Sequence, residues 1–296
     1  MLPFAAPAAP VADRCLFLHG LGVSGNVTDA LFMGVAYWMK LKKVAKKLCN
    51  HTSFPVFDTV TRGAGNASLQ DDFYHVAAAY QGEGDRVFTH SMGNNILARA
   101  CLDQGKCLER GWFQAHGPVT GSIFPDLLHD WCPPSGAGFP ERLQGWAAKL
   151  VGYCSPATYS LQTCDRSGSA AVCGGVSQLA KIGNLTRHGV MCGTSGFGLI
   201  SVLSPLLGAL DEFYMRPRGA APDDGMVSLS SCTAAFEAWN DATRANASFA
   251  EVANARYYRA ATNHGDGMGF DVDGIGADRK PISWFESMIR IGWRES

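Results

Sequence analysis

The sequence contains no long apolar run. A helix needs roughly 18 uninterrupted apolar residues to cross a bilayer, and the nearest approach, Gly196 to Leu210, is broken by Ser201, Ser204 and Pro205. No transmembrane segment is therefore expected. Neither sign of charge is in excess: 25 Lys and Arg stand against 26 Asp and Glu, a formal net charge of −1, so no global field draws in nucleic acid or an anionic membrane. The one basic run, Lys40, Lys42, Lys43, Lys46 and Lys47, alternates with apolar Trp38, Leu41, Val44 and Leu48, the pattern of a helix with one solvated face. Cys-x-x-Cys pairs are missing and no Cys/His cluster has zinc spacing, which argues against a metal role for the cysteines. Asp271, Asp273 and Asp278 are irregularly spaced with no glutamate to close a calcium loop, so that stretch reads as solvated loop. No metal or cofactor is expected. The amino terminus, Met1-Leu2-Pro3-Phe4 followed by Ala-Pro repeats to Pro10, lacks the apolar core of a signal peptide and reads as an end from which a leader has been trimmed. Nothing in the sequence specifies an oligomeric state.

What is present sets a frame. A chain of 296 residues with 47% hydrophobic content can bury about three quarters of its unfolded surface, and the whole of 1–296 reads as a single domain. Ten cysteines accompany five N-x-[ST] sequons, at Asn26, Asn50, Asn66, Asn184 and Asn246. Ten asparagines and 34 Ser or Thr would give roughly one sequon by chance, so the excess points to a glycosylated protein of the secretory lumen or cell exterior, with its cysteines in disulfides. Cys101 and Cys107 are close enough to close a small loop, Cys232 follows an acidic turn it could staple, and Cys192 reads as a half-cystine rather than a nucleophile.

Short apolar runs alternate with helical stretches along most of the chain. Strands are expected at Cys15 to Leu18, Phe54 to Val60, Arg86 to Thr89, Trp112 to His116, His188 to Cys192 and Arg256 to Thr262. Helices are expected at Thr28 to Cys49, Ser68 to Tyr80, Asn94 to Gln104, Phe197 to Met215, Cys232 to Thr243 and Ile282 to Ile291. Such alternation predicts a mostly parallel, doubly wound α/β sheet. One segment breaks the pattern: from about 117 to 187 the chain is rich in Gly, Pro and Ser and holds Cys132, Cys154, Cys164 and Cys173. It reads as a disulfide-containing cap inserted at the carboxyl edge of the sheet, whose apolar residues, Phe124, Leu127, Trp131 and Trp146 among them, either line a groove or form the cap's own core.

The chemistry lies in four places. Thr89-His90-Ser91-Met92-Gly93 falls directly between a strand and a helix, where a tight turn presents a serine hydroxyl above the sheet edge and next to the amides at a helix start. Upstream, Cys15-Leu16-Phe17-Leu18 ends in His19-Gly20-Leu21-Gly22. In such a loop the N–H after the His-Gly pair, here of Leu21, and the N–H after the serine, here of Met92, converge on a developing oxyanion. An acid and a base follow in Pro222-Asp223-Asp224-Gly225-Met226-Val227-Ser228 and Asn263-His264-Gly265-Asp266. Ser91, Asp224 and His264 are the triad candidates, with Asp223 the nearest rival for the acid and Asp266 and Asp271 weaker ones.

These four islands resemble the α/β-hydrolase lipases, especially the secreted microbial type with D-G-L-V-S and N-H-x-D around the acid and base. Gly105-Lys106-Cys107, with Trp112 and Gly121-Ser122, is also similar to uncharacterised secreted proteins of protists. The resemblance implies triad roles for Ser91, Asp224 and His264, oxyanion roles for Leu21 and Met92, and a small-molecule or lipid acyl ester as substrate. Two departures stand out: Thr89 replaces the first glycine of G-x-S-x-G, and glycines at 265 and 267 make the base loop looser than the family pattern. Acyl transfer, thioester cleavage and amide hydrolysis share the same triad, and a hydrolase-fold protein that binds without catalysis stands as the reading from another class.

Overall fold

A computed structural model of the chain describes residues 12–23, 37–131, 154–163, 188–201, 203–220, 222–239 and 249–291. Six strands, β1 (Ala12–Leu18), β2 (Cys49–Ser53), β3 (Arg86–His90), β4 (Trp112–Ala115), β5 (His188–Gly193) and β6 (Tyr257–Ala260), form one sheet in the order β2-β1-β3-β4-β5-β6. Every pairing is parallel. The chain moves from β1 to β2 on one side and returns to β3 on the other, so the topological switch point lies between β1 and β3. In open α/β sheets, ligands bind at that crevice beyond the carboxyl ends of the strands.

Side chains on successive strand residues point to opposite faces, and each face carries its own core. Leu16, Leu18, Val87, Trp112 and Val190 pack with α2 (Ala67–Ala78) and α3 (Met92–Gln104), and with the start of α7 (Leu229–Trp239). Phe17, Phe88, Phe113, Met191 and Tyr258 pack with α1 (Leu41–Leu48) and α8 (Pro281–Arg290) on the other face. There Phe17, Phe88 and Phe113 stack from strand to strand at centroid distances of 4.9 and 5.2 Å. Covered on both faces, the central strands carry apolar runs such as Cys15–Leu18 and Val87–Phe88. This is a doubly wound, all-parallel α/β arrangement. No helix among the described residues is long and apolar enough to cross a membrane.

Disulfides join Cys15 to Cys49, Cys101 to Cys107 and Cys192 to Cys232, and Cys154 is also disulfide-bonded. The third bridge ties the end of β5 to α7, just beyond the acidic turn. Within the segment between β4 and β5 the described parts are 117–131, which contains α4 (Ile123–Trp131), and 154–163, which contains the short α5 (Pro156–Tyr159). Phe124 is buried with Leu207, Leu210 and Met215 rather than lining an open groove. Cys132, Cys164, Cys173 and Trp146 lie outside the described residues, as do Asn26, Asn184 and Asn246. Asn50 and Asn66 are exposed, and Asn66 also caps α2 by accepting from Leu69 N–H at 2.9 Å.

Three elements differ from expectation. The second strand is the polar run Cys49–Ser53, not Phe54 to Val60. As an edge strand it needs no apolar alternation, Cys15 holds its first residue, and Pro55 cannot donate to a ladder, so Phe54 and Phe57 instead stack on Phe17 and Phe73 from a loop. Where described, the helix expected over Thr28 to Cys49 begins only at Leu41, because Trp38 holds a positive φ of 62°. The helix expected from Phe197 starts at Ser204, where Pro205 suits a first turn, and forms α6 (Ser204–Leu210) before widening into a π turn over Asp211–Met215. The lysines of α1 are exposed except Lys42, which lies over the Phe54 ring.

Candidate active site

Ser91 sits between β3 and α3 with φ 53° and ψ −130°, a conformation that L-residues rarely hold and that is tolerated where the surroundings impose it. The approach is tight: a Cβ on Gly93 would come within 2.7 Å of the His19 carbonyl oxygen. Thr89, in the place of the usual glycine, is fully buried and turns its hydroxyl to good use. It donates to Asn94 Oδ1 and accepts from Trp112 Nε1 at 2.8 Å. Asn94 in turn donates to the carbonyls of Ser91 and Ala115, both at 3.0 Å. The departure from G-x-S-x-G thus adds a polar brace to the turn.

The three triad candidates meet. His264 Nε2 lies 2.9 Å from Ser91 Oγ, and His264 Nδ1 lies 2.9 Å from Asp224 Oδ2. The base loop is further fixed by the His264 N–H, which donates to the Asp224 carbonyl at 2.9 Å. Asp224 Oδ1 accepts from the N–H groups of Met226 and Val227 at 3.0 and 2.7 Å. Burial opposes the charge on Asp224, but the His264 and His116 imidazoles outweigh it and hold the carboxyl well below the ordinary carboxylate range.

The rival acids point elsewhere. Asp223 accepts from Gly225 N–H at 2.7 Å, its Oδ2 meets no donor among the described residues, and burial beside Asp211 and Asp224 pushes it up to about 7. Asp266 accepts from the N–H groups of Leu199 and Asn263 at 2.8 and 2.9 Å and is raised by burial to about 6. Asp271 bonds the N–H of Val272. Asp273, part of the rejected calcium pattern, accepts from the Ile282 N–H at the start of α8.

The loop after β1 is held from both sides. Gly20 N–H donates to Tyr37 Oη at 3.0 Å and Gly22 N–H to the Thr59 carbonyl at 3.3 Å. The Leu21 N–H between them, and the Met92 N–H that opens α3, meet no acceptor among the described residues. The first amides of a helix have no intrahelical partner. His19 is structural: its Nδ1–H donates to the Gly20 carbonyl at 2.9 Å, its Nε2 accepts from Phe57 N–H at 3.0 Å, and burial lowers it to about 4.

Two residues that sequence reasoning did not single out belong to the site. His90 Nε2 lies 3.0 Å from the His264 carbonyl, which can only accept, so Nε2 carries the proton. Its Nδ1 then accepts from Tyr37 Oη at 3.0 Å, and the loop after β1 is linked to the base loop through the residue before the serine. His116, just after β4, is fully buried and lies 2.7 Å from Asp224 Oδ2 through its Nδ1. The legible signal was position: a histidine follows or ends β1, β3 and β4, all at the carboxyl edge. His116, Asp224 and His264 also form the one group among the described residues with metal-ligand spacing. Both Nδ1 atoms address the same carboxylate oxygen at hydrogen-bond distance, so the group is satisfied by its own protons.

No family model and no curated protein matches the sequence. Among solved structures the chain is similar to the mature form of a Bacillus licheniformis lipase, at 18% identity over 78% of this chain and 82% of that one with a TM-score of 0.48. It is similar also to Staphylococcus hyicus lipase, at 13% identity over 97% of both chains with a TM-score of 0.47. A third similar structure is a metagenomic carboxyl esterase, at 12% identity over 97% of this chain and 77% of that one with a TM-score of 0.48.

Proposed function

We propose that the protein is a serine hydrolase that cleaves carboxylic acyl esters through an acyl-enzyme. The observation that carries this reading is the continuous relay from Ser91 Oγ through His264 to Asp224, with 2.9 Å at each step. Asp224 fixes the His264 tautomer with the proton on Nδ1, leaving Nε2 free to accept. Ser91 Oγ attacks the ester carbonyl carbon while its proton passes to His264 Nε2. The oxyanion is received by the N–H groups of Leu21 and Met92, each a donor of the kind worth about 2.7–4 kcal/mol in a transition state. His264 then returns the proton to the departing alkoxide, and the alcohol leaves. Water completes the cycle by giving His264 a proton as it attacks the acyl carbon, and the carboxylic acid is released with Ser91 restored.

Disulfides among the described residues and five sequons support a secreted or secretory-lumen location. The chain reads as a single domain, and the cap expected at 117–187 lies, over 132–153 and 164–187, outside the described residues. A fluorophosphonate probe followed by mass spectrometry, with Ser91→Ala alongside and p-nitrophenyl esters from acetate to palmitate as substrates, tests the reading. Labelling confined to Ser91 with ester turnover is expected. Folded protein that takes no label would shift the reading to a binding protein on a hydrolase fold.

A further inference from the structure

The acid of the relay serves two imidazoles. Asp224 Oδ2 accepts from His264 Nδ1–H at 2.9 Å and from His116 Nδ1–H at 2.7 Å, while Oδ1 takes the two backbone amides of Met226 and Val227. A carboxylate offers about four acceptor sites, and all four are filled. His116 is the shorter of the two side-chain contacts, and it never touches the serine.

His116 is built in rather than incidental. It holds a positive φ of 51°, a conformation kept only where the surroundings require it, and its N–H donates to the Met191 carbonyl at 2.8 Å. Its ring fills the space between two backbones that carry no side chain. A Cβ on Gly193 would lie 2.5 Å from His116 Cε1, and one on Gly267 would lie 2.3 Å from Cδ2. The glycine at 267, which in sequence suggests a loose base loop, instead makes room for this ring.

We propose that His116 is a positioning residue that shares Asp224 with His264, fixing the carboxylate and drawing part of its negative charge away from the base. This rests on the reading of Ser91, His264 and Asp224 as the relay. Without the second donor, Asp224 Oδ2 would concentrate its charge on His264 and stabilise the protonated imidazole, so the serine would be activated only at higher pH. The titratable groups facing His116 and His264 are Asp224, His90 and each other, with ring centroids of His90 at 5.9 and 4.9 Å from the two. The Thr262 hydroxyl lies 3.5 Å from His116 Nε2. Burial lowers His116 from its ordinary value, with Asp224 opposing, which suits a neutral donor.

Two substitutions test this. His116→Leu removes the donor, and His116→Asn keeps an N–H donor near the position of Nδ1. Expected for the Leu variant is a loss of about 10- to 100-fold in kcat on p-nitrophenyl acetate, the effect of losing one hydrogen bond to a buried charge. KM should stay nearly constant and the acid limb of the pH–kcat/KM profile should move to higher pH. The Asn variant should recover most of kcat and the original limb. Unchanged kcat and limb in a folded Leu variant would overturn the proposal, as would an Asn variant no better than Leu. Should the Leu variant fail to fold, proton NMR of 15N-histidine-labelled parent protein decides. Besides the His19 Nδ1–H on the Gly20 carbonyl, two further downfield Nδ1–H resonances, one of them lost in His116→Asn, are expected, and only one beyond that of His19 in the parent refutes the sharing. That measurement does not depend on turnover, so it separates this proposal from the hydrolase reading, which Ser91 labelling tests.

Discussion

Asp224→Asn probes the relay at the point where geometry fixes the outcome. The amide has two ways to sit, and the surroundings choose between them. Asp224 Oδ1 faces the N–H groups of Met226 and Val227, so an amide nitrogen there would oppose two donors and forfeit two hydrogen bonds, at about 1–3 kcal/mol each. The introduced amide therefore keeps its oxygen on that side and turns its nitrogen toward His264 and His116. That nitrogen can only donate, so both imidazoles must present a bare Nδ1, and the His264 proton moves to Nε2. His264 Nε2 lies 2.9 Å from Ser91 Oγ, where a proton blocks it from acting as base. A wrong tautomer of this kind in a serine-protease triad lowers kcat by about 10⁴-fold, equivalent to about 5.4 kcal/mol of barrier. The assay is p-nitrophenyl ester turnover at saturating substrate, with circular dichroism to check the fold. Asp223→Asn is the control, since its carboxyl does not reach His264, and it should retain activity within a few-fold. An Asp224→Asn variant within tenfold of the parent, or a larger loss from Asp223→Asn, would refute the reasoning.

Further outcomes follow from the same contacts. Asp223 is raised to about 7 by burial, so its contribution to stability is complete below the ordinary range near 3.8 and is lost as pH rises through about 7. Asp223→Asn should therefore gain in melting temperature relative to the parent more at pH 8 than at pH 5, and equal pH slopes would contradict the assignment. Thr89→Val keeps the shape but removes the hydroxyl shared by Asn94 and Trp112. Urea unfolding should show a loss of about 1–3 kcal/mol. Replacing Cys192 and Cys232 together by Ser opens a loop of sequence separation 40, and the chain-entropy relation gives a loss of about 4 kcal/mol, measurable by the same titration.

Most of the candidate site could be read from the sequence because nucleophile, loop and base each fall at the carboxyl end of a buried strand or just beyond it, where apolar runs mark the strand and its end marks the edge, whereas Asp224 lies beyond α6 and was marked only by its own Asp-Asp-Gly turn. β2 was not legible for the opposite reason. An edge strand pinned by Cys15 and partly solvated at Asn50 and His51 carries no apolar signature, and the apolar run beside it belongs to a loop whose Phe54 packs on the sheet and whose Phe57 packs on α2. His116 stayed hidden because its role arises from a partner 108 residues away. No local motif encodes a contact of that separation, and the glycines that admit its ring lie on two further elements.

The buried polar groups around Ser91 also explain why the turn can hold its strained serine. Thr89, His90, Asn94, His116, Asp224 and His264 are all at most 6% exposed, and each would cost stability if left unpaired. They instead pair with one another and with backbone carbonyls and amides, so the alignment of donors and acceptors is set when the chain folds rather than when a substrate arrives. Preorganised dipoles of this kind need little reorganisation as charge develops on an oxyanion. Relaxing any one of them, through Thr89, His116 or Asp224, should therefore disturb turnover and stability by different amounts: Thr89 acts on the turn, Asp224 on the tautomer, and His116 on the charge the base experiences.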